Sequence, residues 1–382
     1  MVNFKKLKRY NKELLYCTLC STCSPSCCSY KAMGWESYTP RARMMLAKHY
    51  LDGTFKDDGA LSNRIFHCTM CDSCTEECPS PHDPREVIQS FRIELWKKSI
   101  VPEELKEMNS IVEKHDNPLK MAKDARNRWA EPVQQDLVES GDNLFFAGCI
   151  PAYQNSDYLQ KLVKAYAKMD LPLSIIPGNA EVCCGLPVLD SGNAVLFNVL
   201  ITRNITTMLE INPKRIVFAC PSCFSFIKEY YGKESEEFRK IELVFYTDDI
   251  ANGIKAGKLQ MQGFRGPTRI TYHDPCHLGR FSKLWGSPRE IIKSIANAEY
   301  IELDNSKEKT ACCGSGGGLM MTDPEGNKTI ADWRMAEVLE NDVEYLLNTC
   351  FTCQNTLQGA AFRSDDGMDL EVVHILDLLA LD

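Results

Sequence analysis

Short apolar runs separated by amphipathic segments of helical length fill the chain from residue 141 onward. Runs of this kind, bounded by polar residues, are typical of buried strands. Those in 141–265 are NLFFAG, LSIIP, RIVFA and ELVFY, and those in 266–382 are RITYH, YIEL, EYLLN and LEVVH. Segments such as NAVLFNVLITRNITTMLEI and NKTIADWRMAEVLE lie between them. Because strands alternate with helices, the pattern predicts an α/β domain with a parallel sheet in each half.

The pattern before residue 141 differs, because it has few β-branched runs and several helical segments. TPRARMMLAKHYLDG is expected to begin a helix after Thr39-Pro40, and PREVIQSFRIELWKK opens on a proline. We therefore predict a mostly helical domain over 1–98 and a charged, helical connector over 99–140. At the other end of the chain, VVHILDLLALD is broken by aspartates and predicts a terminal amphipathic helix.

Cysteine changes this picture, because eighteen of the 19 cysteines in the 382-residue chain fall into four regular sets. Two short sets read C-x2-C-x2-C-x3-C, and they consist of Cys17, Cys20, Cys23 and Cys27, then Cys68, Cys71, Cys74 and Cys78. Two long sets read C, then CCG, then C-x2-C, and they consist of Cys149, Cys183, Cys184, Cys220 and Cys223, then Cys276, Cys312, Cys313, Cys350 and Cys353. Cys28 alone is left over.

The two long sets indicate a duplicated domain. Corresponding cysteines are offset by 127 residues (149 to 276), 129 (183 to 312) and 130 (220 to 350). We assign the copies to 141–265 and 266–382. Cysteines of both sets directly follow predicted strands, and the carboxyl ends of parallel strands line the ligand crevice of an open sheet. Five sulfurs are therefore expected to converge on one site in each copy.

Composition and charge argue against secretion, against nucleic acid as a partner and against a transmembrane segment. A secreted disulfide scaffold would be short and would carry a signal peptide, whereas MVNFKKLKRY has no apolar core. Reduced cysteines that bind metal in the cytosol explain the composition better than disulfides do, so we expect a cytoplasmic protein. The net charge of −8 argues against nucleic acid as a partner. No apolar run approaches the roughly 18 residues that cross a bilayer, so we expect no transmembrane segment and at most a peripheral position on a membrane, through a partner.

The short sets have the spacing of bacterial two-cluster ferredoxins, in which the fourth cysteine of each set ligates the other cluster. This resemblance implies one [4Fe-4S] cubane on Cys17, Cys20, Cys23 and Cys78, and a second on Cys68, Cys71, Cys74 and Cys27. Pro79 follows Cys78, as in the bacterial pattern. Cys28 follows Cys27, which leaves open which of these two is the ligand. Zinc is the alternative, but three cysteines at consecutive two-residue gaps favour iron–sulfur.

The long sets resemble the cysteine-rich CCG domain of heterodisulfide reductases, through FAGCIP, VCCGLP and ACPSC, then HDPCHLGR, ACCGSGGG and NTCFTC. With the ferredoxin motifs upstream, the resemblance covers nearly the whole chain and matches the catalytic iron–sulfur subunit of the membrane-linked enzymes. It also extends to the iron–sulfur subunits of glycolate oxidase and anaerobic glycerol-3-phosphate dehydrogenase, and to the corresponding iron–sulfur partner of class II benzoyl-CoA reductase. The motifs are specific for this superfamily and weakly specific within it.

This resemblance implies a non-cubane four-iron cluster in each complete five-cysteine set, in addition to the two cubanes. Gly185 and Gly314 follow the paired cysteines, where a missing side chain lets the backbone approach inorganic sulfur. The expected catalytic cysteines are those of the second copy: Cys276, Cys312, Cys313, Cys350 and Cys353.

Two functions follow from the resemblance. In the first, electrons pass from the ferredoxin clusters to the CCG domains, which carry out two-electron chemistry on a disulfide or thiol substrate. In the second, the chain only relays electrons between a flavin, quinone or ferredoxin partner and a separate catalytic subunit, such as benzoyl-CoA reductase or a 2-hydroxy acid dehydrogenase. The expected partners are a flavoprotein, a haem b membrane subunit or a catalytic subunit.

Three weaker signals have ordinary explanations. GSGGG over 314–318 lacks the lysine and hydroxyl residue of a P-loop, which disfavours nucleotide binding. His273 and His277 flank the first cysteine of the second long set, where a structural or supporting role is favoured over ligation or proton donation. Arg280 and Lys283 are interpreted as solvated surface charges rather than as attractors of an anionic substrate.

Overall fold

The computed structural model describes residues 2, 4–54, 59–80, 83–178 and 180–381. The helices are α1 (Asn11–Tyr16), α2 (Cys28–Met33), α3 (Pro40–Leu51), α4 (Gly59–Phe66), α5 (Ser73–Glu76), α6 (Pro84–Lys97), α7 (Glu103–His115), α8 (Cys149–Gln154), α9 (Ser156–Lys168), α10 (Leu186–Asp190), α11 (Ala194–Ile211), α12 (Pro221–Glu234), α13 (Tyr246–Lys255), α14 (Gly286–Lys293), α15 (Leu319–Thr322), α16 (Pro324–Leu339) and α17 (Phe351–Arg363). The strands are β1 (Asn143–Phe146), β2 (Leu173–Ile175), β3 (Arg215–Phe218), β4 (Glu242–Phe245), β5 (Gln260–Met261), β6 (Thr268–Tyr272), β7 (Ala298–Ile301), β8 (Tyr345–Asn348), β9 (Glu371–His374) and β10 (Leu379–Ala380).

The N-terminal part consists of helices that begin where the sequence predicts. The Thr39 side chain accepts a hydrogen bond from the Ala42 amide and caps α3, which has proline in its first turn. Asp83 caps α6 in the same way through the Glu86 amide. These caps satisfy amides that a helix start leaves unpaired. The apolar faces of α3, α4 and α6 then share one core, which includes Phe91.

The first cysteine-rich copy contains a four-stranded parallel sheet in the order β2-β1-β3-β4. Asn143 pairs with Leu173 on one side and with Arg215 on the other, so β1 and β3 are the central strands. The chain crosses over between them, which makes their carboxyl ends the topological switch point of the sheet. Cys149 begins α8 just after β1, and Cys220 caps α12 just after β3.

The second copy repeats this arrangement with a parallel sheet in the order β7-β6-β8-β9. Its central strands, β6 and β8, are followed by Cys276 and Cys350. A π-helical turn, His277–Phe281, replaces the α-helix that follows the first strand of the other copy. The predicted fold class, a helical domain followed by two parallel-sheet α/β copies, is confirmed.

The prediction of a C-terminal amphipathic helix is wrong. The segment contains strand β9, a 3-10 turn (Ile375–Leu378) and strand β10, which pairs antiparallel with β5. The reason is local, because the Asp377 carboxylate accepts the His374 amide while the His374 ring accepts the Leu376 amide. This reciprocal cap starts a tight turn and returns the chain to an extended course.

One helix departs from the expectation about apolar runs. Helix α11 is long and apolar enough, by length and composition alone, to cross a membrane. Its buried residues, including Phe197, Leu200 and Ile201, pack in the same core as the first sheet. One face of α11 therefore packs in the core of the first copy, whereas Val195 and Val199 on this helix are exposed.

Arg92, on α6, joins all three parts of the molecule and is fully buried. Its Nη1 donates to the carbonyls of Asp190 (2.8 Å) and Gly317 (2.9 Å), which belong to the first and second cysteine-rich copies. Its Nη2 donates to the carbonyl of Cys68 at 2.6 Å. A guanidinium has five donors in a rigid plane, which suits it to hold several backbone segments at once.

Candidate metal centres

The short cysteine sets line two cavities in the helical part. One cavity is lined by Cys17, Cys20, Cys23 and Cys78. The other is lined by Cys68, Cys71, Cys74 and Cys27, together with Cys28. Each cavity therefore combines three cysteines of one motif with the last cysteine of the other, which is the grouping expected from two-cluster ferredoxins.

The two loops that supply three cysteines each share an unusual backbone. Leu19 and Ser21 flank Cys20 with φ of 58° and 67°, and Met70 and Asp72 flank Cys71 with φ of 55° and 69°. Positive φ is uncommon outside glycine, and it persists where the surroundings require it. Left-handed residues in a tight loop help to turn backbone amides to one side, a concavity that suits iron–sulfur anions.

The two cavities differ in exposure, and each has an arginine in its lining, Arg41 in the first and Arg43 in the second. Cys20 is exposed, whereas Cys27 and Cys74 are buried. The Arg43 guanidinium is buried beside the second cavity and lies close enough to oppose the rise in pKa that burial causes at Cys27. A buried cation of this kind offsets the negative charge of thiolates.

In the first long set, five thiols contact one another in a continuous series. Each sulfur lies close enough to the next one for that neighbour to shift its pKa, in the order Cys149, Cys183, Cys184, Cys223 and Cys220. The neighbouring thiols of Cys183 and Cys223 lower the pKa of Cys184 to about 6. Residues distant in sequence thus converge at the carboxyl ends of β1 and β3, as expected.

The second long set has the same series. The contacts run from Cys276 to Cys312, Cys313, Cys353 and Cys350 in turn. The sulfurs of Cys313 and Cys353 are 3.3 Å apart. Hydrogen bonds from neighbouring thiols, that of Cys276 first, hold the pKa of Cys312 well below its usual range. Thiolates are the form that binds metal.

The glycine that follows each cysteine pair is required by the backbone. Gly185 has φ of 94° and Gly314 has φ of 101°, values that side chains rarely tolerate. Their amides donate to the first sulfur of each pair, Cys183 at 3.5 Å and Cys312 at 3.4 Å. The backbone thus approaches a cysteine sulfur in each copy, and its approach to inorganic sulfur stays a prediction.

Arg126 is a site residue that sequence reasoning missed, since it lies in the cysteine-free connector. Its guanidinium is buried, pairs with Glu181 and lies beside Cys149. Glu181 also accepts the amides of Ala147 and Gly148 in the turn before that cysteine. The Arg126 Nε and Nη1 atoms have no hydrogen-bond partner among the described residues. The only sequence signal was an arginine in a segment that contains Trp129, which is also buried.

The two histidines that flank Cys276 lie in different surroundings. His273 is fully buried, and one of its ring nitrogens lies within 4.8 Å of the sulfurs of Cys313 and Cys353. The His277 Nδ1 atom lies 2.7 Å from the hydroxyl of Ser225, on the helix that carries Cys223. His277 therefore connects the cysteine sites of the two copies.

Cys28, the cysteine outside the four sets, lies at a junction between the helical part and the second copy. Its sulfur and those of Cys71 and Cys312 all lie within 4.8 Å of one another. Cys28 and Cys312 are buried, and Cys71 is partly buried. Thr69 Oγ1 lies 3.4 Å from the Cys28 sulfur. A cysteine of the second ferredoxin motif thus touches a cysteine of the second CCG set.

Arg280, which looked peripheral in the sequence, holds this junction together. Arg280 is buried, not a solvated surface charge as expected, and donates to the carbonyls of Cys71 (2.7 Å) and Thr310. Lys283, in contrast, is exposed and lies 3.9 Å from Glu76. In the GSGGG segment, a Cβ on Gly317 would lie 2.1 Å from the Cys68 carbonyl oxygen. The glycines therefore permit close contact with the ferredoxin loop.

The donor sets fit iron–sulfur clusters. Soft thiolates select such clusters and zinc, and the described cysteines form groups of four and five sulfurs with backbone amides turned toward them. Buried nitrogen atoms of Arg126 and His273 that have no hydrogen-bond partner among the described residues are available to the anionic charge of a cluster. The structure brings together the members of all four sets; which sulfur binds which iron stays a prediction.

Family models match most of these regions. Residues 13–81 match the 4Fe-4S dicluster domain. Residues 143–228 and 270–358 each match the cysteine-rich domain designated CCG. The matches indicate iron–sulfur clusters and confirm the duplication.

Relatives align over most of the chain. One subunit of a dihydromethanophenazine:CoB–CoM heterodisulfide reductase from Methanosarcina mazei is 26% identical over 96% of this chain and 93% of its own length. One subunit of a CoM/CoB fumarate reductase from Methanothermobacter marburgensis is 25% identical over 96% of this chain and 72% of its own. An EtfAB:quinone oxidoreductase from Syntrophomonas wolfei is 26% identical over 83% of this chain and 46% of its own. All three are redox proteins by name.

Proposed function

Since the chain belongs to the iron–sulfur proteins of the heterodisulfide reductase type, with a dicluster domain before two CCG domains, we propose that it passes electrons from the ferredoxin clusters to the CCG domains for thiol–disulfide chemistry. The observation that carries this proposal is the contact between Cys71 and Cys312. It gives electrons a short path between the two kinds of centre.

The proposed ligands follow the four groups of sulfurs. Two [4Fe-4S] cubanes lie on the short sets, the first on Cys17, Cys20, Cys23 and Cys78 and the second on Cys68, Cys71, Cys74 and Cys27. Two non-cubane clusters lie on the long sets, which are Cys149, Cys183, Cys184, Cys220 and Cys223, and Cys276, Cys312, Cys313, Cys350 and Cys353. The last of these sets is the proposed catalytic one.

The chemistry explains why two neighbouring sites are useful. Cleavage of a disulfide takes two electrons and two protons and gives two thiols, whereas iron–sulfur clusters supply electrons singly. A protein of this kind must hold a half-reduced sulfur between the two steps. His277 and Ser225 join the turn after Cys276 to the helix of Cys223, which supports a substrate position between the two copies.

The first test is iron content. Four clusters imply about 16 irons per chain after anaerobic reconstitution. About eight irons would mean that the long sets hold no clusters and would overturn the proposal. Electron paramagnetic resonance (EPR) of the same sample then separates cubane from non-cubane signals.

The second test is a panel of thiols and disulfides added to the oxidised protein. We expect a thiol to perturb the non-cubane signal and to leave the cubane signals unchanged, because each cubane already has four protein thiolates. Replacement of Cys312 or Cys313 should remove the thiol effect before it removes electron entry. If no compound changes any signal while a redox partner still exchanges electrons rapidly, disulfide chemistry is refuted.

The alternative function is a pure relay, and one observation favours it. Cys312 and Cys313 are only 3% and 5% exposed, so a substrate would need an opening to reach them. In that case the chain connects a flavin, quinone or ferredoxin partner to a separate catalytic subunit. Relatives named as subunits of redox complexes support redox partners in general. We place the protein in the cytoplasm, on a membrane only through such a partner.

A further inference from the structure

The two ring nitrogens of His273 differ in their hydrogen bonding. The Arg334 Nε atom donates to the His273 Nδ1 atom at 3.3 Å. Both side chains are fully buried. The His273 Nε2 atom has no hydrogen-bond partner within the part of the chain that the structure describes. A buried polar atom in this condition requires an explanation, because it loses its contact with water without a replacement.

Arg334 fixes which nitrogen carries the hydrogen. A guanidinium N–H only donates, so the His273 Nδ1 atom must accept and cannot carry a hydrogen of its own. A neutral imidazole with an accepting Nδ1 carries its hydrogen on Nε2. The unpartnered atom of His273 is therefore an N–H donor rather than a lone pair available to a metal.

The available acceptors are sulfurs. A ring nitrogen of His273 lies within 4.8 Å of the sulfurs of Cys313 and Cys353. We propose that His273 is a positioning residue of the second cysteine-rich site, whose Nε2–H would donate a hydrogen bond to the thiolate sulfur of Cys313 or Cys353 when these cysteines hold a cluster. This inference rests on the proposed function, because it requires a cluster in the second long set.

The first copy has no such donor at the matching position. Phe146 lies three residues before Cys149, as His273 lies three residues before Cys276. Phe146 is fully buried and packs against Phe218. Each copy thus holds five cysteines in the same series, but the residues around them differ. The imidazole donor belongs to the second copy.

The test replaces His273 by phenylalanine, the residue of the first copy. Hydrogen bonds to cluster sulfurs raise the reduction potential, since they stabilise the more negative reduced state. We expect His273→Phe to keep the full iron content and to shift the midpoint potential of one non-cubane EPR signal to a more negative value. The other non-cubane signal and both cubane signals should not shift. His273→Gln, which restores an N–H group, should give a smaller shift.

His374→Phe is the matched control. His374 is also a fully buried histidine of the second copy, its Nδ1 atom also accepts, from the Leu376 amide, and its Nε2 atom also has no partner among the described residues. Its ring stacks on Phe351 at 4.5 Å. Within the described residues, only His273 is grouped with the sulfurs of Cys313 and Cys353. We expect no shift in any cluster potential from this variant. A shift as large as that of His273→Phe would overturn the proposal, because it would reflect loss of any buried imidazole.

Two further outcomes would overturn it. Unchanged potentials in His273→Phe would leave His273 with a structural role only. Loss of about four irons in both the phenylalanine and the glutamine variant would identify a ligand. Failure of the underlying function is distinguishable, because wild-type protein without a second non-cubane signal would show it before any variant is made.

Discussion

Cys28 and Cys27 are adjacent in the chain but face different groups. The sulfur of Cys27 lies 3.7 Å from the Tyr38 carbonyl, beside Arg43. The sulfur of Cys28 lies beside Cys71 and Cys312. The side chains therefore separate at the start of α2, and only one of them can complete the second cubane in the ferredoxin manner.

We predict that Cys27→Ala loses about four irons and that Cys28→Ala retains them all, since a [4Fe-4S] cluster needs four thiolates. Iron analysis after anaerobic reconstitution measures both. Cys28→Ser serves as a control that keeps a hydroxyl near Thr69. The reverse pattern, with iron lost only from the Cys28 variants, would reassign the ligand.

His374 gives a second prediction at this scale, about pH. Burial lowers the pKa of His374 to about 3, whereas a histidine in the unfolded chain titrates near 6.5. The unfolded state therefore binds more protons below pH 6.5, and stability falls there by up to about 1.4 kcal/mol per pH unit. The first copy has Phe245 at the same strand position.

We expect the free energy of unfolding of His374→Phe to depend less on pH than that of the wild type between pH 6.5 and 5. It should also cost about 1 kcal/mol at neutral pH, because the cap on the following turn is lost. Anaerobic urea unfolding at several pH values measures both effects. Parallel curves for the variant and the wild type would contradict the stated cause.

At the scale of elements, the glycine-rich loop and the ferredoxin loop are fitted to each other. Gly317 has φ of 64°, and its Cα faces the Cys68 carbonyl closely enough to exclude a side chain. Gly34, at the end of α2, has φ of 71° but has no neighbour within 4 Å among the described residues. A comparison of Gly34 with Gly317 therefore separates the cost of a positive φ from the cost of a steric clash.

We predict that Gly34→Ala costs about 1 kcal/mol, the usual penalty for a side chain at positive φ. Gly317→Ala should cost several times more, because its Cβ would displace the loop of the second ferredoxin motif. It should also slow electron transfer into the second copy. Chemical unfolding and stopped-flow reduction measure the two effects, and equal losses in both variants would refute the fit.

The secondary structure of this chain was predictable where the local sequence determines it. The eight parallel strands of the two sheets, the starts of α3 and α6, and the position of cysteines after strands all follow from apolar period, proline position and spacing. The C-terminal segment was not predictable from its apolar pattern, because the reciprocal cap between His374 and Asp377 redirects it. The contacts of Arg126 and Arg280 depend on how separate parts pack, and no local pattern records that.

At the scale of the whole molecule, Arg92 links the parts through backbone carbonyls. The loss of its side chain would leave the carbonyls of Asp190, Gly317 and Cys68 without that donor. Each buried group left unpaired costs about 1–3 kcal/mol. A residue of the helical domain thus fixes the positions of both cysteine-rich copies.

We expect Arg92→Met to destabilise the protein by at least about 3 kcal/mol and to weaken the coupling between cubane and non-cubane signals. Arg128→Met is the control, since Arg128 is exposed and pairs with Asp124 at the surface, where an ion pair contributes under about 1 kcal/mol. Anaerobic unfolding and EPR relaxation measurements test both. A similar loss in the two variants would remove the special role of Arg92.

The exposure of Cys20 determines the order in which oxygen damages the metal centres. Oxidants attack thiolates and clusters that they can reach, and Cys20 is exposed while Cys312 is buried. Oxygen should therefore dismantle the outermost centre first and the innermost ones last. A sample damaged in this way would still be brown and rich in iron, yet it would no longer accept electrons from outside.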